Sequence, residues 1–297
     1  MQPAVYAHSK EEEAAVDLHD RIWELPFNDP AELELHTEWG SLWIVPVEPG
    51  GNPRIELHRG SAGIDVHIDK HDDRVRVRLE PQPGFDWFRN WERKTTLYVP
   101  QNVRASLQTN AGSVTVRDLV GCQLGIKANA GKIELSDVFG LLHLGADAGS
   151  IVGRNVGGFL DIETQAGSIR LEVTDLQPGE HRVRASMGSV RVELPRGMDV
   201  CIETKTSLGS VRNNFRSSQS APVKLLLSTE MGSLRVDEAN YPSRSWPRRP
   251  DAPPPPPGAP QSPKQSDPEL ERILKMVEAG ELSAREADDL LQAMGRT

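Results

Sequence analysis

Chemistry needs ionisable or nucleophilic side chains brought together, and this chain offers few such groupings. Asp65, His67 and Asp69 alternate along one stretch, followed by His71, Asp72 and Asp73. Alternate side chains of an extended strand share a face, and nitrogen and oxygen donors set that way suit a transition metal. The wet side of a half-buried strand, with Val66 and Ile68 turned inward, gives the same pattern and is the preferred reading. Asp65, His67 and Asp69 therefore stand only as a weak metal candidate, and no cofactor is expected. The segment from Gly125 to Gly131-Lys132-Ile133 superficially matches a phosphate loop, but it has one residue too many and Ile133 stands where Ser or Thr is required. There is no Gly-x-Ser-x-Gly elbow, and the recurring serines have no histidine beside them. The two cysteines, Cys122 and Cys201, are too few for a disulfide framework or a structural zinc site and read as small core or near-core residues. No catalytic residue is assigned, and an enzyme is not expected.

Two further groupings would bind rather than react. Arg170, Arg191, Arg212 and Arg235 recur at one position of a repeat described below; stacked, they would form a basic stripe for a polyanion or an anionic lipid surface. Glu172, Glu193 and Asp237 follow two residues later, so a neutralised ladder of ion pairs is the preferred expectation. Phe85, Trp87, Phe88 and Trp91 crowd into seven residues of a chain with six Phe, six Trp and three Tyr. Pro81, Pro83 and Gly84 precede them, which marks an insertion loop. Such a loop suits a membrane interface or a protein partner; a cover over an open sheet end is the preferred expectation.

These groups are positioned by a repeat. Ala-Gly-Ser-Val at 111–114 returns as Ala-Gly-Lys-Ile at 130–133, Ala-Gly-Ser-Ile at 148–151 and 166–169, Met-Gly-Ser-Val at 187–190, Leu-Gly-Ser-Val at 208–211 and Met-Gly-Ser-Leu at 231–234. An earlier copy, Trp-Gly-Ser-Leu, lies at 39–42. The corner glycines are Gly40, Gly112, Gly131, Gly149, Gly167, Gly188, Gly209 and Gly232; from Gly112 onward they are 19, 18, 18, 21, 21 and 23 residues apart. Counting from the glycine, positions −7, −5, −3, +2 and +4 are apolar or small around Gly40, Gly131, Gly167 and Gly232. Around Gly131 they are Leu124, Ile126, Ala128, Ile133 and Leu135; around Gly232, Leu225, Leu227, Thr229, Leu234 and Val236. Period-two alternation predicts strands with one buried face, and each glycine takes a backbone conformation that a side chain penalises. One unit cannot bury its stripe alone, whereas stacked units can. A β-solenoid follows, with an antiparallel meander as the competitor that spacing alone leaves open. Solenoid enzymes that cut polysaccharides line a groove with acids; here Asp161, Glu163, Glu172 and Glu193 are scattered among arginines.

Composition bounds the rest. The chain has 297 residues, a net charge of −9 and 37% hydrophobic residues, which disfavours a dedicated nucleic-acid binder and leaves no long apolar run. No signal peptide is visible at the N-terminus, so a cytoplasmic location is expected, with a place peripheral to the inner membrane as a variant of it. Residues 1–20 read as a flexible acidic start, 21–240 as the repeat domain with an irregular N-terminal cap over 45–100, 241–266 as a proline-rich linker, and 267–297 as a small αα-hairpin. Residues 242–268 hold 11 of the 23 prolines, which makes an extended, semi-rigid spacer. Asp267-Pro268 starts a helix and Gly280 ends it; Ser283 and Glu286 form the capping box of a second. Leu270, Ile273, Leu274 and Val277 line one helix face, and Ala287, Leu290, Leu291 and Met294 the other. Those apolar faces need cover, so self-association, or docking on another protein, is the expected use.

The repeated Gly-Ser-Val/Ile/Leu motifs with their apolar flanks resemble the bacterial putative-adhesin β-strand repeat family, a domain of unknown function, over roughly residues 20–240. The resemblance implies a mainly β fold, a right-handed β-solenoid of about seven to eight rungs, rather than the meander. The tail Ile273-Leu274-Lys275-Met276-Val277-Glu278-Ala279-Gly280-Glu281-Leu282-Ser283 resembles the SHOCT-like helical module, and also the hairpin of LiaX/YvlB-like envelope-stress proteins, where the hairpin precedes the repeats. These resemblances imply oligomerisation and an envelope-stress or surface-organising scaffold, not catalysis. A membrane- or polyanion-binding module using Trp87, Phe88, Trp91 and the arginine stripe is the alternative, and a polysaccharide-active enzyme a more distant one.

Overall fold

The structure is a computed structural model; it describes residues 21–27, 31–58, 64–71, 73–81, 94–239 and 241. The chain divides into two compact units, Met1–Arg248 and Arg249–Thr297. Residues 1–20, the aromatic segment 85–91, the proline-rich linker and both expected helices lie outside the described residues.

Every regular element of the described part is a strand: β1 (Arg21–Glu24), β2 (Glu32–Pro46), β3 (Arg54–Leu57), β4 (Ile64–His71), β5 (Arg74–Pro81), β6 (Lys94–Val99), β7 (Arg104–Arg117), β8 (Val120–Leu176), β9 (Gly179–Pro195), β10 (Cys201–Asn213) and β11 (Val223–Ala239). The repeats pair in parallel, β2 on β7, β7 on β8, β8 on β9, β9 on β11 and β11 on β10, in one open sheet. Parallel neighbours cannot be joined by tight hairpins, so the meander is excluded for these repeats. The alternation read from the sequence is what the sheet buries. Leu124, Ile126, Ala128, Ile133 and Leu135 are each at most 2% exposed, and the equivalent residues around Gly40, Gly167 and Gly232 are buried as well.

Register is fixed at the corners. Gly40 pairs with Gly112, Gly112 with Gly131, Gly167 with Gly188, Gly188 with Gly232 and Gly232 with Gly209. Gly149 completes the column: a Cβ there would lie 1.8 Å from Gly131 O, and one on Gly167 would lie 1.6 Å from Gly149 O. With φ between +111° and +155° along the column, the corner tolerates only glycine, both for its own conformation and for the carbonyl of the next strand. A second corner is built differently. Asp118, Asp137 and Asn155 take φ of 57°, 57° and 51°, a left-handed conformation that Asn and Asp tolerate best, and Asn155 Nδ2 donates to Asp137 Oδ1 at 3.1 Å.

Spatial order departs from chain order at one end. Sequence-ordered repeats would place β10 on β9, but β11 lies between them. The core sets explain this. β11 offers Leu225, Leu227, Thr229, Leu234 and Val236, all buried. The equivalent positions of β10 are Ile202, Thr204, Thr206, Val211 and Asn213, a largely polar set whose Val211 stays 42% exposed. The strand with the complete apolar set takes the sandwiched place, and the poorer one takes the edge. At the opposite end β2 pairs in parallel with β5 and then β6, which in turn pair antiparallel with β4 and β3; β1 pairs antiparallel with β3.

Candidate binding surfaces

The arginine stripe is in register, but not in the order of consecutive repeats. Because β11 lies inside β10, the row runs Arg170, Arg191, Arg235, Arg212. Its middle is neutralised. Arg191 reaches Glu193 at 3.0 Å and Asp237 at 3.4 Å, and Arg235 Nε donates to Asp237 Oδ2 at 2.6 Å. Asp237 also accepts from Asn214 Nδ2 at 2.9 Å. The hydrogen bond from Arg235 leads the effects that hold its carboxyl below the ordinary range. Half of the stripe is thus an ion-pair ladder.

Asp65, His67 and Asp69 do fall on one side of β4, and Val66 and Ile68 pack partly against the core. β5 runs antiparallel beside them, placing Glu80, Arg78 and Arg76 opposite Asp65, His67 and Asp69. Arg78 donates to Asp69 at 3.3 Å, and His67 Nε2 lies 4.0 Å from Glu80. Among the described residues no three His, Cys, Asp or Glu side chains are grouped to hold a metal ion. Cys122 is buried and reduced, and burial pushes its thiol up to about 12, so it has no thiolate for reaction. Cys201 is half-buried and also free.

The sheet also makes a polar depression of about 400 Å³ that sequence reading missed. Gly125 and Gly145 occupy outward positions without side chains and form its floor, and Lys127, His143, Asp161 and Glu163 are among its walls. His143 Nδ1 lies 3.5 Å from Asp161 Oδ2, with the two side chains 51% and 47% exposed. Asp161 and Glu163 are therefore less scattered than expected, and both line this one open depression. The outward glycines at 125 and 145, on neighbouring repeats, were the signal that could have revealed it.

His181 was missed too. It takes position −7 of its repeat, where most other copies carry Leu and the rest Ala105 or Ile202, and is completely buried. Its Nδ1 accepts from the Leu160 N–H at 3.1 Å and its Nε2–H donates to Gln177 O at 2.8 Å. It joins two repeats as a neutral ring, and burial lowers its pKa. Finally, the residue before each corner glycine forms a row. It is Trp39, Ala111, Ala130 and Ala166 in earlier repeats but Met187, Met231 and Leu208 at the β10 end, exposed by 50%, 46% and 67%.

Comparison with known proteins adds the following. Residues 268–297 match the model of the SHOCT-like domain. No curated protein matches the chain. Among solved structures it is similar to a putative cell adhesion protein from Clostridium sporogenes, at 12% identity and TM-score 0.35, covering 74% of this chain and 99% of that one. It is also similar to a putative adhesin from Bacteroides fragilis, at 12% identity and TM-score 0.35, covering 73% and 96%. A putative adhesin from Parabacteroides merdae aligns at 13% identity and TM-score 0.29, covering 74% and 95%. No helix among the described residues is long and apolar enough to cross a membrane.

Proposed function

We propose that this protein is a non-enzymatic scaffold that assembles through its C-terminal segment. In this reading residues 21–240 coil as a right-handed β-solenoid, 241–266 are a tether, and 267–297 form a self-associating helical hairpin through Leu270, Ile273, Leu274, Val277, Leu290, Leu291 and Met294. The observation that carries it is the SHOCT-like match at residues 268–297, which follows a proline-rich segment in a chain whose described repeats already bury their own apolar stripe. A helical element this short does not build a sufficient core alone, so its apolar faces require another surface. The β unit supports a structural role: many of its outward charges, Arg191, Arg235, Glu193 and Asp237 among them, pair with one another along the rows between strands. A cytoplasmic setting, peripheral to the inner membrane and linked to envelope stress or surface organisation, fits the resemblance of the tail.

Light scattering on the full chain tests the reading. The native chain is expected to show a mass above that of a monomer, and Ile273→Asp with Leu290→Asp to lower it. Equal monomer masses for both, over a wide concentration range, would sink the proposal. Co-sedimentation with anionic vesicles separates it from the membrane alternative, which requires binding that Trp87→Ser with Trp91→Ser abolishes.

A further inference from the structure

The two ends of the parallel stack differ. Beyond β2 the sheet continues into β5 and β6 and then into antiparallel strands, whereas β10 pairs with β11 and with no other strand among the described residues. It is 13 residues long, and a long bare edge is a template for pairing with another chain. The strand carries charges of both signs, Glu203, Lys205 and Arg212, which oppose pairing only where like charges meet, and it adds Leu208, 67% exposed, at the end of the row Met187, Met231, Leu208.

We propose that β10 is a second self-association surface, independent of the C-terminal hairpin, where two copies pair antiparallel, β10 to β10, about a two-fold axis. The register follows from the strand itself. Ile202, Thr204, Thr206, Val211 and Asn213 point inward, because they stand beside Leu225, Leu227, Thr229, Leu234 and Val236; Glu203, Lys205 and Arg212 stand outward beside Leu226, Ser228 and Arg235. Pairing must set inward residues against inward ones. Placing Ser207 opposite Leu208 of the second copy does so: Thr204 meets Val211, Lys205 meets Ser210 and Glu203 meets Arg212. By symmetry the Glu203–Arg212 pair forms twice. A shift of two residues one way opposes Lys205 to Arg212, which cross-strand repulsion disfavours; the other way sets Glu203 against Ser210 and forfeits both ion pairs. The favoured register also brings corner to corner, so the apolar row continues from one copy into the next. Glu203 is already held outward by Lys224, 2.9 Å from its Oε1, with its side chain 57% exposed. At the start of the strand the Ile202 N–H donates to Ser217 Oγ at 2.8 Å, so the new pairing spans 203 to 212.

Charge exchange tests this in the full chain carrying Ile273→Asp and Leu290→Asp, which removes association through the hairpin. In that background the native edge is expected to sediment as a concentration-dependent dimer. Arg212→Glu alone opposes glutamates, and Glu203→Lys alone opposes cations, so each is expected to be monomeric. Mixed in equal amounts they restore both pairs and return the dimer, a recovery that misfolded chains do not give. Leu208→Asp, at an exposed position, is expected to abolish the dimer with an unchanged far-UV dichroism spectrum. A monomeric native edge in this background, unchanged association on Arg212→Glu or Leu208→Asp, or a mixture no heavier than its parts overturns the proposal. A mass of the full chain that the hairpin substitutions leave unchanged counts against the scaffold reading alone and leaves these arms intact.

Discussion

At the residue scale, the column of corner glycines and the buried ring of His181 carry the most specific consequences. A Cβ on Gly149 would sit 1.8 Å from a backbone oxygen at a φ of +155°, whereas one on Gly121, at φ +77°, would meet nothing within 4 Å. Gly121→Ala is therefore expected to cost about 1–2 kcal/mol, the strain of the left-handed conformation alone. Gly149→Ala adds displacement of the neighbouring strand and is expected to cost more than about 3 kcal/mol. Urea unfolding of the two variants checks the difference; equal losses would mean that the column is not closely stacked. His181 is neutral in the fold and its pKa is lowered by burial. The unfolded chain takes up a proton near pH 6.5 while the folded chain does not. The contribution of this ring is thus complete above that value and is lost as pH falls below it, toward the lowered folded value. Thermal unfolding from pH 7.5 to 5 is expected to show a decline that flattens in His181→Leu. That variant also costs about 1–3 kcal/mol at neutral pH, because the Leu160 N–H and Gln177 carbonyl lose their partner. The glycine column was legible in the sequence because the motif repeats. His181 was not, because it breaks the pattern and its partners come from a different repeat and a turn.

At the scale of elements, the period-two pattern identified the buried set of the interior repeats, since one alternating face is all that a stacked strand needs. It did not identify strand order. Copies with the same register are interchangeable neighbours as far as spacing goes, and only the polar inward set of β10 marks it as the edge. The same reordering puts Arg235 beside Arg191 and makes Asp237 the shared partner of both. Asp237→Asn is expected to lower stability by roughly 1 kcal/mol, as for other accessible ion-pair networks. Because this carboxyl is held below its ordinary value, its contribution is present above about pH 4 and is lost as pH falls through the lowered folded value. Acid unfolding read by dichroism checks this: the native chain should lose more stability below pH 4 than the variant, and parallel curves would refute it. The polar depression was also hidden from the sequence, since Gly125 and Gly145 form one floor only when their repeats are neighbours.

At the scale of the whole molecule, a β unit with ion-pair ladders on part of its surface accompanies a short C-terminal segment that matches a SHOCT-like domain. Aromatic residues 85–91 and the tail were prominent in the sequence because their compositions depart sharply from the repeat; their use depends on partners that composition does not name. The sharpest test is the mass of the full chain in solution as a function of concentration, by sedimentation equilibrium. The weight-average mass is expected to rise with concentration above the 32.8 kDa of one chain, and Ile273→Asp with Leu290→Asp to lower it to no more than that of a β10-paired dimer. A mass that stays at that of one chain throughout would contradict the account.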